Sequence, residues 1–154
     1  MMKKIKFKNS ETNIAAENIR EFEESFSTRL PEELKKLLLT YNGGVLTGET
    51  ADAMSIFLEG ERTTDLFGSL FSIKHGKNTI EYAMDMLQIT EQHIPMDQLP
   101  FADDMGGNVF TISVSEEQLG KIYYWLMDVG EPEKRFAANS LSEFFGGDLE
   151  TGID

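Results

Sequence analysis

Apolar positions near the start of the chain recur with helical spacing. In ENIREFEESF, Ile19, Phe22 and Phe26 fall at i, i+3 and i+7, which predicts an amphipathic helix stopping near Ser27-Thr28-Arg29-Leu30. Pro31 suits the first turn of a second helix, with Glu32 and Glu33 beside its positive end. Leu34, Leu37, Leu38 and Tyr41 form the buried stripe of that helix. Asn42-Gly43-Gly44 closes it, because glycine accepts the left-handed conformation just past a C-cap.

Farther on the period changes. MSIFLEG and LFGSLFSI read as short strands joined by the polar connection ERTTD. NTIEYAMDMLQI returns to helical spacing, with Ile80, Ala83, Met84 and Leu87 as its stripe and Asn78 with Glu81 as a capping box. Ile94-Pro95 and Leu99-Pro100 bracket an extended linker. In VFTISVS, Phe110, Ile112 and Val114 alternate with Thr111, Ser113 and Ser115, a strand with one face buried. KIYYWLMD carries aromatics on both faces and lies close enough to pair with it as an antiparallel hairpin across EEQLGK. Ser140 and Glu143 cap a short last helix holding Leu141, Phe144 and Phe145 and ending at Gly146-Gly147, and the tail DLETGID is expected to fray. Helices at both ends and hairpin-spaced strands between them predict an α+β fold, a mainly antiparallel central sheet flanked by about four helices.

Composition narrows the class. The 154 residues are 40% hydrophobic and 27% charged, as expected of one globular domain able to bury a core. The domain is expected to span 1–154, with its core at about 16–147 and short extensions on either side. Without cysteine there is neither a disulfide framework nor thiolate chemistry. MMKKIKFKNSETN has the lysines of a signal peptide but no apolar segment behind them, so a cytoplasmic location is expected, with no membrane contact. The net charge of −13 is unevenly spread. Residues 1–40 hold eight Lys and Arg against seven Asp and Glu, whereas 97–154 hold three against twelve. Such a surface repels nucleic acid and anionic lipid and attracts cationic partners, although acidity also serves solubility alone.

The run LPFADDMGGNVFTISVS, 99–115, holds the strongest candidate for chemistry. A calcium loop starting at Asp104 would need oxygen ligands at alternating positions, glycine at the sixth and glutamate at the twelfth. Those last two places are Val109 and Ser115, which excludes that mode. Two readings of the loop remain. Asp and Asn side chains accepting backbone N–H groups would make it a turn that aims the chain into the next strand, with Gly106 and Gly107 holding special backbone angles or close contacts. Alternatively, Asp103, Asp104 and Asn108 contact a partner. Trp125 with Tyr123, Tyr124 and Met127 is likewise either core on one face of a strand and sheet cover on the other, or an aromatic ligand or partner surface.

His75 and His93 stand in separate segments without the spacing of a zinc site. There is no G-x-S-x-G elbow, no phosphate-binding glycine loop, and adjacent carboxylates point apart rather than flanking one bond. Neither catalytic residues nor a metal or cofactor is expected.

The ordered set LPEELKKLLLTYNGG, LPFADDMGGNVFTISVS, GKIYYWLMD and SLSEFFGG resembles the SUKH superfamily. Leu30, Pro31, Asn42, Gly43 and Gly44 carry the first block of the resemblance. Pro100, Phe101, Ala102, Asp104, Gly106, Gly107 and Asn108 carry the second, and Gly120, Tyr123, Tyr124 and Trp125 the third. The resemblance covers roughly 16–147 and implies a single α+β domain. For bacterial members of this size it implies an immunity protein that silences a cognate toxin, often a nuclease. A non-enzymatic scaffold or regulatory domain is the alternative. The expected partner is thus a cationic toxin protein, bound by a monomer or weak homodimer.

Overall fold

A computed structural model describes residues 3–4, 6–47, 56–58, 61–63, 67–104, 106–127, 130–145 and 149–150. Helix α1, Ala16–Phe26, buries Ile19 and Phe22, and Ser27 closes it in the left-handed conformation at φ 50°. Helix α2, Glu32–Thr40, buries Leu34, Leu37 and Leu38, and Pro31 stands just before its first turn. Glu23 ties the two helices together by accepting the Leu30 N–H at 2.8 Å and pairing with Lys35 at 3.4 Å.

The glycines after α2 have a different task from the one predicted. Its C-cap, Tyr41, is extended, and the positive φ angles fall later, at Gly43 (86°) and Gly44 (118°). There the chain squeezes into the sheet: a Cβ on Gly44 would lie 2.5 Å from the Lys8 carbonyl. Buried Asn42 anchors the passage, donating to the Thr12 and Ile73 carbonyls and accepting the Ile73 N–H.

Among the described residues the main sheet has seven strands, all antiparallel. In spatial order they are β10 (Glu133–Ala138), β9 (Ile122–Leu126), β8 (Val109–Ser113), β7 (Gln98–Asp104), β6 (Phe67–Leu70), β3 (Gly44–Leu46) and β2 (Phe7–Lys8). With four helices among the described residues, this is the α+β architecture expected. Strand β7 corrects the sequence reading: the linker expected between Ile94-Pro95 and Leu99-Pro100 ends early, and Leu99-Pro100 lies in the middle strand of the sheet. A bulge between Pro100 and Ala102 accommodates the proline, and the bulged Phe101 accepts the Phe71 N–H at 2.8 Å. Strand β4, Ile56–Leu58, pairs with β5, Glu61–Thr63, so ERTTD is in part a hairpin arm rather than a connection.

Helix α3, Ile80–Met84, is capped by Thr79, whose hydroxyl accepts the Tyr82 N–H at 3.0 Å; the cap is not Asn78. Glu81 instead accepts the Lys74 N–H at 2.7 Å. The helix widens into a π-helix over Asp85–Thr90. The wider turn rotates Gln88 inward, where its amide donates to the Pro95 and Gln98 carbonyls, and leaves Leu87 half-buried.

The last helix, α4 (Leu141–Phe144), starts at Ser140, whose hydroxyl accepts the Glu143 N–H at 3.1 Å. Its predicted end at Gly146-Gly147 lies outside the described residues. Of the tail expected to fray, Leu149–Glu150 forms β11, parallel to β1 (Lys3–Lys4); 148 and 151–154 lie outside the described residues. No described helix is long and apolar enough to cross a membrane.

One face of the sheet carries Leu99, Phe110, Ile112, Ile122 and Tyr124, which pair across neighbouring strands. Rings of Phe7, Phe67, Phe101, Phe110, Phe144 and Phe145 meet over it with centroids 5.0–6.5 Å apart. Contrary to the one-sided burial expected, Thr111 and Ser113 on the other face are also buried.

Candidate functional site

Strand geometry sends Asp103 and Asp104 to opposite faces, as expected of adjacent residues. Asp104 closes the turn between β7 and β8. Its Oδ1 accepts the Gly106 N–H at 2.7 Å and the Asn108 N–H at 2.9 Å. Its Oδ2 accepts the Tyr124 hydroxyl at 2.5 Å and the Asn108 side-chain amide at 3.0 Å. Asn108 extends the tie to β9, donating to the Tyr124 oxygen at 3.1 Å and accepting the Met127 N–H at 2.8 Å. Burial pushes the Asp104 carboxyl up. The donors from Tyr124, Asn108 and Gly106 outweigh it and hold the group below the ordinary carboxylate value.

Of the paired glycines only Gly107 has a positive φ, 93°. A Cβ on Gly106 would meet nothing nearer than Asp104 Oδ1 at 3.7 Å, so the special geometry expected of both belongs to one.

Asp103 faces the other way. Its Oδ1 accepts the Ser69 N–H at 2.8 Å and the Ser69 hydroxyl at 2.9 Å. Burial raises its pKa, the Ser69 donors only partly offset this, and the Asp104 charge adds to the rise. Across the sheet from it, on the same face, stands Trp125. The indole N–H donates to Thr111 Oγ1 at 2.9 Å, Thr111 donates to Gln98 Oε1 at 2.7 Å, and Gln98 donates to Ser113 Oγ at 2.8 Å. This chain satisfies every polar side chain that the second face buries there, which is why a threonine and a serine are tolerated in a fully buried strand. Tyr123, half-buried, packs edge-on to the partly exposed Phe136 at 5.9 Å, with Lys134 Nζ 4.6 Å from its ring centre.

The five residues singled out from the sequence therefore do not converge. Asp104 and Asn108 belong to one knot, completed by Tyr124, a member of the aromatic run whose hydroxyl turns out to be spent on Asp104 rather than on a partner. Asp103, Tyr123 and Trp125 share the opposite face but are separately bonded to Ser69, Gln118 and Thr111. Ser69, Gln98 and Thr111 carried no legible signal, since their partners lie on strands whose register the sequence does not give.

Carboxylates that face solvent lie elsewhere, many of them on the helices, and four flank the two ends of the sheet. Asp97, Glu116 and Glu117 stand at the end of the sheet where β7 starts and β8 finishes, Glu131 at the opposite end. No group of three or more His, Asp or Glu side chains comes together among the described residues.

Comparison with curated proteins gives no match. The segment that runs from just before α1 through the Asp104 knot and the aromatic strand β9 to the end of α4, residues 13–147, matches the SMI1 / KNR4 family (SUKH-1), and the chain belongs to that family.

Proposed function

We propose that this chain is an immunity protein, which binds a cognate secreted toxin in the cytoplasm and neutralises it by occupancy, without turnover. Membership of the SUKH family supports a protein-binding role. The observation that carries the reading further is the charge: twelve carboxylates against three cations over 97–154, several of them on the surface. A nuclease is cationic where it holds phosphate, and an acidic protein can occupy that surface in place of the nucleic acid. A nuclease is therefore the toxin class proposed.

The neighbouring reading frame is the first place to look for the toxin. Co-expression with it should restore growth, and the two chains should co-elute. Their association should slow as salt rises, because exposed charges are screened over about 8 Å at physiological ionic strength. Absence of both rescue and complex would return the chain to the scaffold reading. Hydrolase or nuclease turnover that tracks the purified chain would overturn the claim that it acts without catalysis.

A further inference from the structure

A groove of about 880 Å³ opens at the end of the sheet remote from the Asp104 turn. Its walls are the C-terminal turn of α1 and the loop after it, Met84 of α3, the segment entering β7, and the loop between β8 and β9. Phe26, Met84 and Val114 supply an apolar floor. Met96 and Leu119 stand on the rim 59% and 54% exposed, two of the few large apolar side chains the described surface leaves open. Apolar residues that gather on a concave site, rather than scatter singly, mark a place where something docks.

We infer that this groove takes a cationic amphipathic segment of the partner protein, an apolar anchor flanked by Lys or Arg. The charges around it select that occupant. Asp97 and Glu116 on the rim make no side-chain ion pair among the described residues, and Glu117 follows directly. The last turn of α1 adds the negative end of its dipole. Glu23 is already matched by Lys35, and Arg29 is the single cation lining the groove among the described residues. A second copy of the chain would bring a further −13 and be repelled, as would an anionic lipid surface. This inference rests on the toxin-binding reading only for the partner's identity; the groove's chemistry can be tested without it.

The test uses the full chain, isotope-labelled, and three synthetic peptides of equal length: amphipathic leucine–lysine, leucine–glutamate and serine–lysine. Anisotropy should show the leucine–lysine peptide binding at least about tenfold more tightly than the other two. Amide shifts should move at Phe26–Arg29, Met96–Asp97 and Val114–Leu119. Leu119→Ser with Met96→Ser should abolish the preference for leucine, and Glu116→Lys should weaken binding, while Glu131→Lys at the far end leaves it unchanged. All these positions are exposed, and unchanged melting curves confirm that each variant folds.

Equal binding of the serine–lysine peptide, shifts confined to the Asp104 turn or to Tyr123 and Phe136, or no binding at all would each overturn the inference. So would a dimer in sedimentation that Leu119→Ser dissociates, which would place a second copy there. Toxin rescue is scored separately: rescue without peptide binding removes the groove and keeps the immunity reading, and peptide binding without rescue does the reverse.

Discussion

Replacing Asp104 by Asn changes one carboxylate oxygen to an NH₂ group and removes the charge while leaving the volume alone, so its effect reports the charged hydrogen bonds of the turn. The asparagine can keep an oxygen toward the Gly106 and Asn108 N–H groups. Its NH₂ then meets the NH₂ of Asn108, donor against donor. Asn108 cannot turn over in response, because its own oxygen accepts the Met127 N–H at 2.8 Å. The Tyr124 hydroxyl can reverse, but it already accepts from Asn108 at 3.1 Å. Hydrogen bonds to a charged group contribute about 1.5–3 kcal/mol each, and the variant loses at least one outright and weakens the others. We expect a loss of about 2–3 kcal/mol, or roughly 5–10 °C in Tm for a chain of this size.

The pH dependence supplies the sign. Asp104 is held below its ordinary value in the folded state. Its contribution is therefore full above the unfolded value of about 4 and lost as pH falls through the folded one. The gap between wild type and Asp104→Asn should be widest near neutrality and close in acid, as followed by circular dichroism melts across a pH series. Affinity for the toxin, per folded molecule, should hardly change. A variant with wild-type stability that no longer binds would refute the reasoning and make the turn a recognition site.

Three further outcomes follow from the same geometry. Gly107→Ala, at φ 93°, should cost about 1 kcal/mol or more in urea melts, whereas Gly106→Ala should be nearly neutral. Gly44→Ala should destabilise more than Gly107→Ala, because its Cβ would fall 2.5 Å from the Lys8 carbonyl and force β2 away from β3; hydrogen exchange at Phe7 and Lys8 reports the separation. Asp103 has a raised pKa, so wild type loses the matching stability as pH rises through it. Asp103→Asn should accordingly gain on wild type from acid toward neutral pH, the reverse of Asp104→Asn, in the same series of melts.

The elements legible in the sequence were those in which one period dominates. Helices α1 and α2 declare themselves through Ile19, Phe22, Leu34, Leu37 and Leu38, all of which are buried. The β8–β9 hairpin does so through alternation. Strand β7 was hidden because Pro95 and Pro100 look like breakers, and only a bulge at Phe101, a tertiary device, lets a proline lie inside a central strand. Strand β5 was hidden because Glu61-Arg62-Thr63 has no apolar residue to reveal a face. The turn's chemistry was half visible. Asp104 accepting local N–H groups is written in the residues themselves, but the Tyr124 hydroxyl comes from 20 residues away and needs the register of three strands. The groove was not visible at all, since it is assembled from four separated segments.

Opposite commitments of its carboxylates decide where this surface can give binding energy. A partner group that engaged Asp104 would have to displace donors from Gly106, Asn108 and Tyr124, losing inside the protein about what it gained across the interface. Asp97, Glu116 and Glu117 face water and are not tied to the fold in this way, so pairing them costs only partial desolvation and side-chain ordering. Stability and association should therefore separate by residue. Glu116→Gln with Asp97→Asn should slow association with a cationic toxin and flatten its salt dependence at constant Tm, because rim charges act on encounter. Asp104→Asn should lower Tm and leave the association rate and its salt slope where they were. Stopped-flow mixing of each variant with the toxin across a salt series measures both quantities, and a salt slope that followed Asp104 rather than Asp97 and Glu116 would move the interface to the other end of the sheet.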